Sequence, residues 1–316
     1  MRLMTLDPND PTVLHLKVPK KVVFDTIGTV LKQLEPMLRT GSMAPPRRVL
    51  LDMTRVSSCS PTGITILAAA LEDLFLRGLL NGGEIELPDS PLLVEYLQQM
   101  NFFEELNVKM PGKLEARPTS VHPVTHVKDE TVSPAATRAL VATLQQNADL
   151  DEGSVNGLKT CLNEVIENVF YHAESPTDAL VSAEAYKAKK RTELVIADTG
   201  QGIRAALSKI PKYAKKATDD CAAIRLAIQK NVTTTGDRKR GIGLWVASEV
   251  IRRNEGELLI LSHEGGVRIG SNGAHNVTDH FWPGTLVVIE FRTDMPISPL
   301  AVYDSGEFPD ADHFDF

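Results

Sequence analysis

The chain has 316 residues, 42% of them hydrophobic and 24% charged, the composition of a soluble globular protein long enough for two domains with cores of their own. A formal net charge of −7 argues against a broad nucleic-acid-binding face. The three cysteines, Cys59, Cys161 and Cys221, are far apart with no CxxC pair, which argues against a disulfide framework or a clustered metal site and favours free thiols in a reducing compartment.

The first stretch, MRLMTLDPND, has no apolar signal region, and no run approaches the roughly 18 apolar residues of a membrane span, so a cytoplasmic protein is expected. Residues 12–106 read as alternating short strands and helices. TVLHLKV suits a strand, and 20–39 has helical apolar spacing through Val22, Val23, Ile27, Val30, Leu31 and Leu34. RRVLLDM reads as a buried strand. PTGITILAAALEDLFLRG opens with proline and ends near a glycine, the usual punctuation of a helix. GEIELP is another short strand, and SPLLVEYLQQMNF a helix with a serine cap and a first-turn proline. This alternation predicts a small α/β domain with a mostly parallel or mixed sheet.

Residues 107–132, rich in Pro, Lys and Thr, read as a linker with room for one extended segment. Ser133-Pro134 opens a helix to about residue 148, and a second helix begins near Ser154. ALVSAEAYK and TELVIAD are two strands joined by the polar run AKKR, a hairpin pattern. A helix near 219–230, a polar stretch over 231–240, a helix from Gly243 and the strands GELLILS, GVRIG and GTLVVIEF follow. The tail carries Asp294, Asp304, Glu307, Asp310, Asp312 and Asp315 without Lys or Arg, interleaved with Tyr303, Phe308, Phe314 and Phe316. It is expected to be solvated and flexible, with a partner-docking segment as the alternative.

Within the second helix, NEVIENVFYHA (163–173) spaces Glu164, Asn168 and His172 four residues apart, in one row. Leu158, Leu162, Val165 and Val169 cluster beside that row, which places it at the edge of the core. Polar groups there are held rigidly and still reach a ligand. VIADTGQGI (195–203) ends an apolar strand in Asp198, placed to accept a hydrogen bond from a ligand amine. Gly200 and Gly202 allow close backbone approach or positive φ. RKRGIGLWVASEV (238–250) sets Gly241 and Gly243 immediately before a helix, where free N–H groups form a phosphate-binding surface. Arg238, Lys239 and Arg240 add positive charge, and Gly284-Thr285 opens the last apolar strand.

In this order and spacing, ExxxNxxxH, DxGxG after a strand, GxG before a helix and GT on a strand resemble the GHKL ATP-binding fold over roughly residues 133–293. That group includes histidine kinases, anti-sigma-factor kinases, gyrase-type topoisomerases, mismatch-repair proteins and heat-shock chaperones. The resemblance implies ATP and Mg²⁺ as cofactors. It implies that Asn168 is a Mg²⁺ ligand, that Glu164 is the catalytic residue activating or positioning the attacking group, and that Asp198 binds the adenine amino group. Gly200, Gly202 and Ile203 would line the base pocket, and Thr285 would support Asp198 and the adenine. Gly241, Gly243 and Leu244 would meet the phosphates, with Lys239 and Arg238 near the γ-phosphate and 204–240 as the nucleotide lid. His172 stays open between a ligand role and a hydrogen bond to nearby backbone. The form NEVIENVFYHA looks closer to anti-sigma-factor kinases than to most sensor histidine kinases.

VLLDMTRVSSCSPTGITILAAALEDL, followed by PDSPLLVEYLQQMNFFEEL, resembles a STAS domain, the fold of anti-sigma-factor antagonists. The family's D-S-S-G loop is here Ser60-Pro61-Thr62-Gly63. Thr62, or else Ser60, is the counterpart of the family's phosphorylation site, while a plain helix-capping role for Thr62 is the more economical account. The implied architecture is α/β: a STAS-like regulatory domain at 1–110, a linker at 111–132, a GHKL (Bergerat) α/β sandwich at 133–293 and the acidic tail at 294–316. The sandwich is expected to have a mixed sheet covered by helices on one face.

The implied function is an ATP-binding signalling protein of the anti-sigma-factor kinase type, moving the γ-phosphoryl of Mg·ATP to Ser or Thr of a partner protein. The alternative is an ATP-gated interaction switch with slow or no turnover. No histidine sits in an H-E/D-x-x-x-P context, which argues against a sensor histidine kinase. The absence of a following transducer domain argues against a DNA-acting ATPase. Partners are expected to be proteins of a regulatory pathway, a second copy of the chain included, with neither a membrane nor nucleic acid.

Overall fold

The computed structural model describes residues 6–7, 10–23, 26–39, 47–106, 120–129, 131–230, 232, 243–277 and 281–297. Its first elements are β1 (Val13–Lys17), β2 (Lys21–Val22), α1 (Ile27–Leu38), β3 (Arg47–Asp52), β4 (Ser58–Cys59), α2 (Pro61–Leu76), β5 (Leu80–Glu86), α3 (Pro91–Gln99) and α4 (Phe102–Glu105). β1, β3 and β5 pair in parallel in that order, and β2 pairs with β4. Parallel neighbours need crossovers, which α1 and α2 supply. The helix expected over 20–39 is shorter, because Lys21–Val22 is taken by pairing with Ser58–Cys59.

A second sheet contains β6 (Val121–Val127), β7 (Ala179–Tyr186), β8 (Arg191–Asp198), β9 (Glu257–His263), β10 (Gly265–Gly270), β11 (Gly273–Asn276) and β12 (Trp282–Arg292), in the order β11-β10-β9-β12-β8-β7-β6. Each of its pairings is antiparallel, so it is not the mixed sheet expected from the sequence. β6 falls in the stretch expected to be linker. Its Pro123 is tolerated because β6 is an edge strand, and the register shifts between His122 and Thr125. Residues 107–119 lie outside the described residues.

One face of this sheet carries α5 (Ser133–Asn147) and α6 (Glu152–Asn168). Three short helices, α7 (Gly202–Ser208), α8 (Pro211–Ala214) and α9 (Asp220–Ala227), enclose a small core of Leu207, Tyr213, Ala217, Ala223 and Leu226. The first part of the expected lid is therefore folded. α10 (Gly243–Arg253) packs beside α6 on the same face.

The opposite face is not open. Val195, Ala197, Leu259, Leu261, Leu286 and Val288 share one buried cluster with Leu31 and Leu34 of α1 and Ile64, Leu67, Ala68 and Leu71 of α2. Their strand neighbours Leu194, Ile196, Leu258, Ile260, Val287 and Ile289 point the other way, to Leu158, Leu162, Val165 and Val250. Helices on both faces, rather than on one, account for strands that read as unbroken apolar runs. α2 is buried on nearly every side, between the two sheets.

Polar pairs sit inside this contact. Glu193 of β8, 1% exposed, accepts from the Ser60 hydroxyl at 2.7 Å, the Thr62 N–H at 3.0 Å and the Thr62 hydroxyl. Thr65 bonds Ser182 at 2.7 Å, and the Tyr96 hydroxyl donates to Glu184 at 2.6 Å. Ser60 stands at the N-cap position of α2, yet its side chain and that of Thr62 are spent on Glu193. At the far end, Ile297 is buried against Gly153 and Gly157 of α6, while residues 298–316 of the expected tail lie outside the described residues. Cys59, Cys161 and Cys221 are free thiols. Among the described residues no helix is long and apolar enough to cross a membrane.

Replacing Glu193 by alanine strands three buried donors, so Glu193→Ala should lower stability by about 2–4 kcal/mol in urea denaturation at pH 7. Glu193→Gln keeps an acceptor oxygen and should lose about half as much. Equal losses for the two variants would show that the carboxylate's hydrogen bonds are not what holds this contact.

Candidate functional site

α6 begins where Asp151 accepts from the Ser154 N–H at 2.6 Å, an N-cap that fixes the first turn. It ends by widening into a π-helical turn over Val169–Ala173, and Glu174 then adopts a left-handed conformation. Such turns insert an extra residue and recur at functional sites. Glu164 and Asn168 keep their four-residue spacing on α6, while the wider turn shifts His172 from a strict continuation of the row.

β8 ends at Asp198, only 2% exposed. The Gly200 N–H donates to its Oδ1 at 2.8 Å, and Thr285, its partner in the β8–β12 ladder, donates through both N–H and hydroxyl. Burial pushes the Asp198 carboxyl up to about 6, against these hydrogen bonds, which pull it down. The Asp198 carbonyl accepts from Trp282 Nε1 at 2.8 Å.

The turn after Asp198 is pressed onto the π-helical turn. A Cβ on Gly200 would lie 2.0 Å from the Ala173 carbonyl oxygen, so only glycine fits. That carbonyl accepts from the Gln201 N–H at 2.6 Å, and the His172 carbonyl accepts from the Gln201 side-chain amide. The Ile203 N–H donates to Ser262 Oγ at 2.9 Å, and Ser262 donates on to the Gly284 carbonyl at 3.0 Å. At the start of α10, Glu164 Oε2 lies 2.4 Å from where a Cβ on Gly243 would stand, so this carboxylate sits against a helix N-terminus.

These elements surround an open cleft. Asn168, His172, Asp198, Gly202, Ile203, Gly243, Leu244 and Thr285 line it. Gly200 and Glu164 stand beside lining residues rather than among them. Lys239 and Gly241, with Arg238 and Arg240, lie outside the described residues. Val165, Val169, Ala173, Ile196, Ala206, Leu207, Ala227, Val232 and Val287 complete the walls. The sequence offered no means of separating these apolar residues from ordinary core.

The chemistry of the lining is divided. Asp198 and Thr285 sit on a sheet floor among branched apolar side chains, which suits a flat heterocycle bearing an amine. Gly243 opens α10 beside the Asn168 amide, a setting for anionic oxygens and a hard cation. Among the described residues, no group of three or more His, Cys, Asp or Glu could hold a metal ion. A divalent cation fits here with oxygens brought by the ligand itself.

Residues 126–257 match the family model described as a histidine kinase-like ATPase domain. The matched stretch runs from inside β6 to the first residue of β9, and so takes in α6, the Asp198 turn and α10. No curated protein matches the chain.

Because the Asp198 carboxyl titrates near 6 in the folded protein and near 3.8 when unfolded, the native state holds the extra proton between those values. Stability should therefore fall as pH rises from about 4 to 6 and stay lower above that. Asp198→Asn lacks this effect. In paired urea titrations the variant should gain about 2 kcal/mol relative to the parent between pH 4 and pH 7. Parallel curves would remove the buried-carboxylate account.

Proposed function

We propose that the chain, whose residues 126–257 match the model of a histidine kinase-like ATPase domain, binds Mg·ATP in the cleft and transfers its γ-phosphoryl group to a Ser or Thr of a partner protein. The observation that carries this is the convergence of Asn168, Asp198, Thr285 and the first turn of α10 on one cleft. Asp198 accepts from the adenine amino group, and Thr285 steadies both. Asn168 is the side chain that would hold the cation, whose charge offsets that of the phosphates when bound. The α10 N-terminus, with Gly243 and Leu244, receives the phosphate oxygens.

Glu164 orients the attacking hydroxyl and takes its proton. Its position against Gly243, one helical turn before Asn168, supports that role. The N-terminal part serves as a STAS-like regulatory unit, as its parallel β1-β3-β5 sheet and the loop before α2 suggest. Ser60 and Thr62 are 4% and 0% exposed, so neither can accept a phosphoryl group while α2 rests on the large sheet.

Equilibrium binding of Mg·ATP is the first test. Asp198→Asn should weaken it by roughly 10- to 150-fold, the loss of a charged hydrogen bond. Glu164→Gln should bind Mg·ATP within about threefold of the parent yet lose phosphoryl transfer to a candidate partner by at least 100-fold. A parent that binds Mg·ATP and phosphorylates none of its partners would replace the kinase by the ATP-gated switch. A parent that does not bind at all would remove both.

A further inference from the structure

The end of the cleft that holds Asp198 is built where three segments meet: the turn after Asp198, the end of β9 and the start of β12. Ser262 of β9, 2% exposed, is bonded to both of the others. Its oxygen accepts from the Ile203 N–H at 2.9 Å, and its one proton goes to the Gly284 carbonyl at 3.0 Å. A single hydroxyl thus serves a donor and an acceptor from different segments.

Both partners are groups that regular structure leaves unpaired. Ile203 is the second residue of α7, and the first N–H groups of a helix have no partner inside it. Gly284 lies at the irregularity in the β9–β12 ladder, where the register passes from Trp282 opposite His263 to Thr285 opposite Ser262. A bulge of this kind puts residues outside the ladder, and here the Ser262 hydroxyl supplies the donor.

Both contacts lie close to Asp198. A Cβ on Gly284 would stand 2.4 Å from Asp198 Oδ1 and 2.5 Å from the Gly200 nitrogen. Gly284 therefore rests on the carboxylate and on the N–H that donates to it. A Cβ on Gly202, whose φ is +74°, would stand 2.8 Å from Ser262 Oγ and 2.5 Å from the His263 ring. One side chain thus fixes the far end of the turn and the backbone pressed on its near end, with Asp198 between them. Removing the hydroxyl strands two buried polar groups, which regain partners only by moving.

We propose that Ser262 is a positioning residue that sets base specificity in the nucleotide site: by clipping Gly284 to the first turn of α7, it keeps the Asp198 carboxylate aimed at the amino group of the base. This rests on the nucleotide assignment made above. Ser262 is not among the residues that line the cleft, so its action passes through Asp198. The phosphate end, at Asn168 and Gly243, is supplied by α6 and α10 and is independent of the clip.

Calorimetry on the full chain with three probes tests this: Mg·ATP, the Mg²⁺ complex of its analogue with hydrogen in place of the 6-amino group, and Mg·tripolyphosphate. The parent should prefer Mg·ATP to the analogue by about tenfold or more, the worth of a hydrogen bond to a charged acceptor. Ser262→Ala should weaken Mg·ATP about tenfold and the analogue about twofold, narrowing the preference about fivefold, with Mg·tripolyphosphate unchanged. Ser262→Thr keeps the hydroxyl on a strand, where branched side chains are favoured, and should hold the preference to within about twofold of the parent. Equal weakening of Mg·ATP and the analogue would make the clip merely structural and overturns the proposal, as does a Thr variant that falls with the Ala variant. A Ser262→Ala chain that binds all three probes as the parent does overturns the clip and leaves the nucleotide assignment standing. A parent that does not bind Mg·ATP removes both. Hydrogen exchange on the unaltered chain decides the matter without a variant. At saturation, Mg·ATP should slow exchange of the Ile203 N–H more than the analogue does, because clip and base contact favour one another, and equal slowing overturns the proposal.

Discussion

The structure depends on the two-residue alternation of β8. Along Arg191–Asp198, Leu194, Ile196 and Asp198 point to the layer of α6 and α10, whereas Glu193, Val195 and Ala197 point to α1 and α2. One strand therefore supplies the buried acceptor of the cleft and the buried anchor of the N-terminal unit. A register slip of one residue would exchange the two sets and put Glu193 toward the cleft. The ladders to β7 and β12 fix this register on both sides, with Thr285 opposite Asp198 and Glu290 opposite Glu193.

The geometry of the cleft is a consequence. A carboxylate at the end of a fully buried strand is costly when ionised, and Asp198 tolerates it through donors from Gly200 and Thr285. Those donors are themselves tied down: Gly200 by contact with the Ala173 carbonyl, and Thr285 by its place in β12. The π-helical turn is what lets α6 deliver Asn168 to the cleft and still bring the Ala173 carbonyl to Gln201. Shared atoms of this sort make the site a property of the whole layer rather than of a loop.

Much of this was legible in the sequence, and the physical reason is local punctuation. The glycines at the start of α10 and after Asp198 and the AKKR hairpin are signals carried by a few adjacent residues. What escaped was non-local. Asp73 lies in an apolar helix with Arg77 four residues on, which reads as an ordinary surface pair although the carboxylate is buried. Glu193 reads as a polar edge of a strand, and nothing near it in sequence names Ser60 or Thr62 as its donors. β6 was legible only as one extended segment within the expected linker, because Pro123 weakens any strand pattern. LVIA, LLIL and LVVI are apolar at every position, and an antiparallel sheet with a bare face would alternate.

That doubly covered sheet sets limits on how the N-terminal unit can act. Interfaces between independent domains are usually moderate in size and polar, and part readily. Here Ile64, Leu67, Ala68 and Leu71 of α2 share a core with Val195, Ala197, Leu286 and Val288. Complete separation would expose both sets to water at a cost comparable to unfolding a small core. Control by wholesale release is therefore poorly matched to this fold. The polar pairs embedded in the contact, Glu193 with the start of α2 and Thr65 with Ser182, offer a finer lever. A shift of α2 small enough to keep its apolar face buried still changes hydrogen bonds that are sensitive to fractions of an ångström. Since Glu193 and Asp198 belong to one strand, such a shift would reach the cleft with no further moving part.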